Sequence, residues 1–378
     1  MVRTTVILQS EKYEVSEISF KDALSSISSA WSNIVRNENL NPSLLPGWLK
    51  CACDAFNISD DTKVLVIYKN KEVVGIIPYY NVEKKIAGIP TKCIELSTNL
   101  VTYHQELITT LTIKQTIEIF ILHLKKTISW DTILFKDLNT EGRTYIALTS
   151  NFLATTYLSE SSPYLVLSDT WGELIASKPK KFRYKVNKRE KELANNHSLK
   201  SIWFRGGDNC DDLINDMLHI EQHSWKVQDN MDITSRPIET LYYKHLIPYL
   251  SKHNLLIANV LKFDGIAIAY NLCYQVNGHV GQIKTSFDNS YQELSPGAMM
   301  IEEALRQYYQ EGCVEFDFLG DVMPHKMAWT KKLRAHETVM VYNNHSKGYL
   351  IYTYSKLRKF IKKLLLTVSS KTPIKPIT

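Results

Sequence analysis

The sequence predicts an α/β (α+β) chain with two successive mixed, largely antiparallel sheets, each flanked by helices. Three observations lead there. Asp264-Gly265 and Asn277-Gly278 are two-residue turns that accept positive φ at small cost, so 255–262, 266–276 and 279–287 form an antiparallel meander. An apolar-periodic run then passes through Met299, Met300, Ala304, Leu305 and Tyr308, stops at Gly312, and gives way to an apolar strand at 314–319. The same order of hairpin, helix and strand occurs earlier: strands at 64–68 and 73–79 around Asn70-Lys71, a helix at 116–127 and a strand at 131–138.

The elements follow in order. A strand at Thr4–Leu8 precedes a helix over 20–35, whose Ala23, Leu24, Ile27, Ala30 and Trp31 share one face. Pro42 and Pro46 break it, and Trp48 opens a helix carrying Leu49, Ala52 and Phe56, with Trp48 expected in the core. Ser161-Ser162-Pro163 punctuates the chain before a strand at 164–167, and Thr170-x-x-Glu173 is a capping box. The expected domains are 1–162, 163–345 and a tail at 346–378. Residues 178–191 hold Lys178, Lys180, Lys181, Arg183, Lys185, Lys188, Arg189 and Lys191, which form either a solvated helix or a cationic wall for a phosphate-bearing ligand. A helix over 210–226 ends in Glu221-Gln222-His223-Ser224-Trp225-Lys226. Residues 349–366 read as a basic amphipathic helix, which either packs on the catalytic domain or docks on anionic lipid.

Composition bounds the function. The chain has 378 residues, 44% of them hydrophobic, enough for two cores. Its net charge of +6 is too modest for a dedicated DNA binder. The six cysteines show no paired metal-ligand spacing, so no metal is expected, and they suit a reduced, cytoplasmic setting. No stretch approaches the ~18 consecutive apolar residues of a membrane span. Phosphate-cradling Gly-x-x-x-x-Gly-Lys, Gly-x-Gly-x-x-Gly, Gly-x-Ser-x-Gly and His-Glu-x-x-His motifs are all missing.

Ser295-Pro296-Gly297, Phe316-Asp317-Phe318, Gly320, Lys326 and Trp329, in that order after a meander, resemble the catalytic half of the GNAT-fold acyltransferases of the CelD/BcsL type, relatives of the FemAB peptidoglycan transferases. The Pro46-to-Trp48 opening, the basic helix and Ser224-Trp225-Lys226 are similar to that family too, as is the tandem arrangement of two GNAT-like domains. His325 departs from the pattern, standing where the family has an aromatic hydroxyl. The resemblance implies an acyl-CoA-dependent N- or O-acyltransferase using acetyl-CoA or another acyl-CoA. Its acceptor would be a sugar, a polysaccharide or a cell-envelope precursor. Two alternatives stay open: an aminoacyl-tRNA-dependent FemAB-like transferase, and a non-catalytic GNAT-fold module that binds a glycan.

Such chemistry needs a phosphate cradle, a group that polarises the carbonyl, and a base. Ser295, Pro296, Gly297 and Ala298 open a helix, where backbone N–H groups and the helix dipole favour anions. A main-chain N–H of 279–287 would polarise the thioester carbonyl. His223, Asp317 and Asp288 are candidate bases, with Glu221 a further one if buried. Trp225, Lys226, Asp288 and His325 are candidate substrate contacts. Lys326, expected in a polar turn, would set a point charge on a phosphate or a developing oxyanion.

Overall fold

The computed structural model describes residues 2–8, 10–86, 88–100, 106–168 and 170–369. The chain forms two compact units that are interleaved in sequence: residues 1–46, 58–159 and 335–378 in the first, 47–57 and 160–334 in the second. The expected divisions at 162 and 345 differ from this. Residues 335–345 join the first unit because their strand pairs there, and 47–57 join the second because Trp48 packs there.

In the first unit, β1 (Val2–Leu8), β2 (Glu11–Ser19), α1 (Phe20–Ser26) and α2 (Ser28–Asn37) come first. After α3 (Pro46–Ala55) follow β3 (Lys63–Lys69), β4 (Glu72–Ile86), β5 (Ile89–Leu96), β6 (Ile108–Thr109), α4 (Ile113–Thr127), β7 (Thr132–Asn139), α5 (Arg143–Asn151) and β8 (Ala154–Leu158). The predicted helix over 20–35 divides because Ile27 leaves helical geometry at φ −126°. Strand β2 escaped prediction because its inward row, Tyr13, Val15 and Glu17, contains a carboxylate. Glu17 is tolerated there by Lys63, Tyr79 and His123, whose hydrogen bonds hold its carboxyl down at about 2 against burial.

The second unit runs β9 (Ser162–Val166), α6 (Trp171–Ala176), α7 (Lys180–Asn195), β10 (Leu199–Arg205), α8 (Asp211–Gln222), α9 (Pro237–Lys252), β11 (Leu256–Phe263), β12 (Ile266–Val276), β13 (His279–Phe287), α10 (Pro296–Gln310), β14 (Glu315–Asp317), α11 (Pro324–Met327) and β15 (Leu333–Arg334). The chain then supplies β16 (His336–Tyr342) and α12 (Ser346–Ser369) to the first unit. Trp48 is buried in the second unit, as expected of a core residue, donating its indole N–H to the Tyr242 hydroxyl at 2.9 Å and meeting Tyr274 edge-on.

Both sheets follow one plan. The first is ordered β1-β2-β3-β4-β5-β7-β16-β8, with β6 on β4, and the second β10-β11-β12-β13-β14-β9-β15. Each contains a meander, β3-β4-β5 or β11-β12-β13, then a helix, α4 or α10, then a strand parallel to the meander's third. Asn70-Lys71, Asp264-Gly265 and Asn277-Gly278 all have positive φ at both turn positions, the geometry that matches strand twist in tight hairpins. Helix α10 ends just before Gly312 at φ +70°, and Ile301, Ala304, Leu305 and Tyr308 pack with Phe316 and Phe318 in one core.

Candidate functional site

The candidate groups lie around the carboxyl ends of β13 and β14, the only parallel pair among the described strands of their sheet. The two strands pair only over His279–Gly281 and Glu315–Asp317, after which β13 continues to Phe287 without β14. Further on, Ser224 bridges to Asp288, Asn289 N–H donates to the His223 carbonyl at 3.0 Å, and the Lys226 ammonium donates to the Thr285 carbonyl at 2.9 Å. The β14-side edge of β13 is therefore closed at both ends. Between them, Gln282 to Lys284, about 10 Å of strand at about 3.3 Å per residue, have no described strand partner on that side.

Past Asp288, a short turn reaches Ser295, whose φ of +54° swings the chain into α10 with Pro296 at the first helical position. The N–H groups of Ala298 and Met299 both bond back to the Ser295 carbonyl, leaving that of Gly297 as a donor for a ligand. A Cβ at Gly297 would stand 3.2 Å from the Phe287 ring, so this opening abuts the end of β13.

His223 and Asp288, nominated separately, come together. His223 caps α8, is exposed, and its Nδ1 donates to the His219 carbonyl at 2.8 Å, which leaves Nε2 as an acceptor. Asp288 is buried at the end of β13, where one oxygen accepts the Ser290 N–H at 2.8 Å. Sequence reasoning missed His219, whose ring lies 4.6 Å from that of His223; the i, i+4 histidine spacing was the available signal.

Glu221, also weighed as a base, is fully buried. It accepts from Lys226 Nζ at 2.9 Å, the Tyr270 hydroxyl at 2.6 Å and the Ile233 N–H at 3.1 Å, and so serves as an anchor. Burial lowers the proton affinity of Lys226, and Glu221 opposes that shift. Lys226 thus ties the loop to β13, while Trp225 beside it is exposed.

Asp317 occupies the second polar shell. It accepts from the Ser162 hydroxyl, the Arg334 guanidinium and the Leu319 N–H, and Arg334 also grips Glu315 at 3.0 Å. A carboxylate so engaged positions the turn after β14 and is poorly placed to take a substrate proton. Ser162 and Arg334, distant in sequence, could be found only by folding.

Lys326 differs from the polar turn expected of it. It sits buried in α11, with Nζ 3.4 Å from the Phe318 carbonyl, and burial lowers its proton affinity against the opposing charges of Asp321 and Asp317. His325, next to it, is exposed. The turn is fastened to the α6–α7 region, where Trp329 packs on Trp171 and Phe182 and its carbonyl accepts from Lys178. Along α7, Lys180, Lys181, Arg183, Lys185, Lys188 and Lys191 are exposed, while Arg189 is drawn onto buried Glu302 at 2.9 Å.

Residues 180–327 match the family model described as an acetyltransferase (GNAT) domain. The match spans α7 through α11 and contains Glu221, His223, Trp225, Lys226, Asp288, the Ser295–Ala298 opening, Asp317, His325 and Lys326. Two solved structures show that the fold extends over nearly the whole chain. FemX aligns at a TM-score of 0.59 with 11% identity, over 89% of this chain and 99% of its own. L-PGS from Bacillus licheniformis aligns at 0.52 with 9% identity, over 87% and 96%. A search of curated proteins finds no sequence match.

Proposed function

We propose that the second unit is an acyl-CoA-dependent N- or O-acyltransferase. It transfers an acetyl group to a sugar, polysaccharide or cell-envelope precursor, in the manner of the CelD/BcsL type. The observation that carries this reading is the interrupted pairing of β13 and β14, ending at a helix opening with a free Gly297 N–H, inside the GNAT-matching segment. A thioester laid along Gln282–Lys284 would meet main-chain N–H groups that stabilise the oxyanion, and the carrier's phosphates would reach Ser295–Ala298. The acceptor amine or hydroxyl attacks the carbonyl carbon, His223 Nε2 takes its proton, the C–S bond breaks, and that proton passes to the departing sulfur so that CoA leaves as the thiol. Asp288 orients His223, Trp225 and His325 contact the acceptor, and Lys326 sets its charge against an anionic part of it. The activity then belongs to the second unit, residues 47–57 and 160–334, at a cytoplasmic location, with α12 as a peripheral contact to anionic lipid.

The exposed cations of α7 favour a second reading, in which the acyl donor is an aminoacyl-tRNA, since a row of free Lys and Arg suits a phosphate backbone. Calorimetry with acetyl-CoA, and thiol release in the presence of amino sugars, test the first reading. Binding is expected to weaken at least tenfold in Gly297→Asp, which sets a carboxylate where phosphate approaches. An unchanged Kd overturns the carrier assignment; activity that needs RNA and vanishes with ribonuclease selects the second.

A further inference from the structure

His219, which the acyl-transfer reading does not use, stands with His223 and Asp288 in one group. One ligand atom from each lies within 4.8 Å of the others. The two histidines stand one turn apart at the end of α8, and Asp288 arrives from the end of β13 across the Ser224 bridge. We infer that this group is a binding site for one zinc-class divalent ion, held by two imidazole nitrogens and a carboxylate oxygen.

Three features support the assignment. The nitrogen, nitrogen, oxygen donor set suits borderline-soft ions such as Zn2+ rather than Mg2+ or Ca2+, which take oxygen ligands. The tautomer of His223 is already fixed, because Nδ1 donates to the His219 carbonyl and Nε2 presents its lone pair; ligating histidines carry that same outer hydrogen bond. Asp288 is likewise held, with one oxygen on the Ser290 N–H and the carboxylate buried beside two exposed imidazoles. Bonds of about 2.0–2.1 Å around a tetrahedral ion set ligand atoms roughly 3.4 Å apart. Rotation of the exposed His219 ring shortens its distances to the other two ligand atoms while His223 keeps its hydrogen bond. The fourth position faces solvent. A bound ion occupies the lone pair with which His223 would accept a proton, so the ion and the base compete for one atom.

The test uses the full chain, stripped with a chelator and then titrated with Co2+ alone, followed by Zn2+ in competition with a chromophoric chelator. The expected result is one ion per chain, with the visible bands of four-coordinate cobalt and displacement by Zn2+. Affinity is expected to fall by more than the ~10–100-fold that losing an outer hydrogen-bond partner of a ligand costs in His219→Gln and in Asp288→Asn, and to remain unchanged in His197→Gln, whose exposed side chain lies between α7 and β10. His219 is exposed, so its variant reads the site even if Asp288→Asn disturbs the fold. No stoichiometric binding at micromolar ion, or equal affinity in His219→Gln, overturns the inference.

Discussion

Lys326 is a charge that folding alone would not place where it is. Its burial opposes the ammonium form, its one described hydrogen bond is long, and Asp317, one of the carboxylates that steady it, is already engaged by Arg334 and Ser162. Replacing it with a neutral side chain of similar length should therefore raise stability while removing the charge offered to substrate. Lys326→Met is expected to melt at or above the wild-type temperature near neutral pH. Because burial holds the folded-state pKa below 10.5, the wild type bears its penalty at lower pH and sheds it as pH rises. The gap between the two should thus close toward pH 10.5. Turnover should drop roughly ten- to a thousand-fold, in keeping with one lost electrostatic contact in a transition state. Thermal melts across pH and kcat measurements separate the two effects; full activity in Lys326→Met would make the lysine an accident of packing. The position of Lys326 was legible from its Phe-Asp-Phe, Gly and Trp surroundings. Its burial was not, because the turn that carries it is fastened by residues far away in sequence: Lys178 and Phe182 hold Trp329.

At the scale of single elements, helix α12 shows which local signals survive folding. Its amphipathic pattern was readable, yet among the described side chains the side that packs is small: Ile351 and Ser355 are buried where the helix meets β8 and β16 of the first unit, helped by Lys359, which donates to the Thr156 carbonyl at 3.0 Å. This differs from the expected packing on the catalytic domain. Leu350, Tyr354, Leu357 and Ile361 form an exposed row at intervals of four, three and four residues, with Lys356 and Arg358 beside them. An exposed apolar row edged by cations suits the interface of an anionic bilayer. No helix among the described residues is long and apolar enough to cross one. Deleting residues after Asn344 is expected to abolish sedimentation with phosphatidylserine-containing vesicles and to leave binding to neutral vesicles at its low background. Equal co-sedimentation of the two proteins would return α12 to a purely structural role. The hairpins were read correctly because their signal is local: Asp-Gly and Asn-Gly need only their own positive φ. Strand β2 was missed because the burial of Glu17 depends on Lys63, Tyr79 and His123, none of them near it in sequence.

The order of strands in the whole chain carries a constraint that neither copy of the repeat shows alone. In the first sheet the place between β7 and β8 is taken by β16, which follows the entire second unit in sequence; in the second, the corresponding place between β14 and β15 is taken by β9, which directly follows β8. Each copy thus completes its sheet with the strand that chain order would have given to the other. Long-range pairing of this kind leaves no mark on periodicity, so residues 336–342 read only as the end of the second domain. The consequence is testable by truncation. Strand β16 pairs along both edges, with β7 and β8, and buries Val339, Val341 and Tyr342. At roughly 1.5–3 kcal/mol for each such side chain, its removal forfeits about as much as the ~5–15 kcal/mol that holds an ordinary domain together. A chain ending at Arg334 keeps every strand of the second unit, including all the candidate catalytic groups, but leaves β7 and β8 with unpaired edges in the first. That protein is expected to lose cooperative unfolding of residues 1–159 and to be cleaved there by protease, whereas a chain ending at Asn344 retains β16 and should resist. Protease mapping with mass spectrometry of the fragments decides it: equal resistance of the two truncated chains would mean that β16 adds nothing to the first sheet.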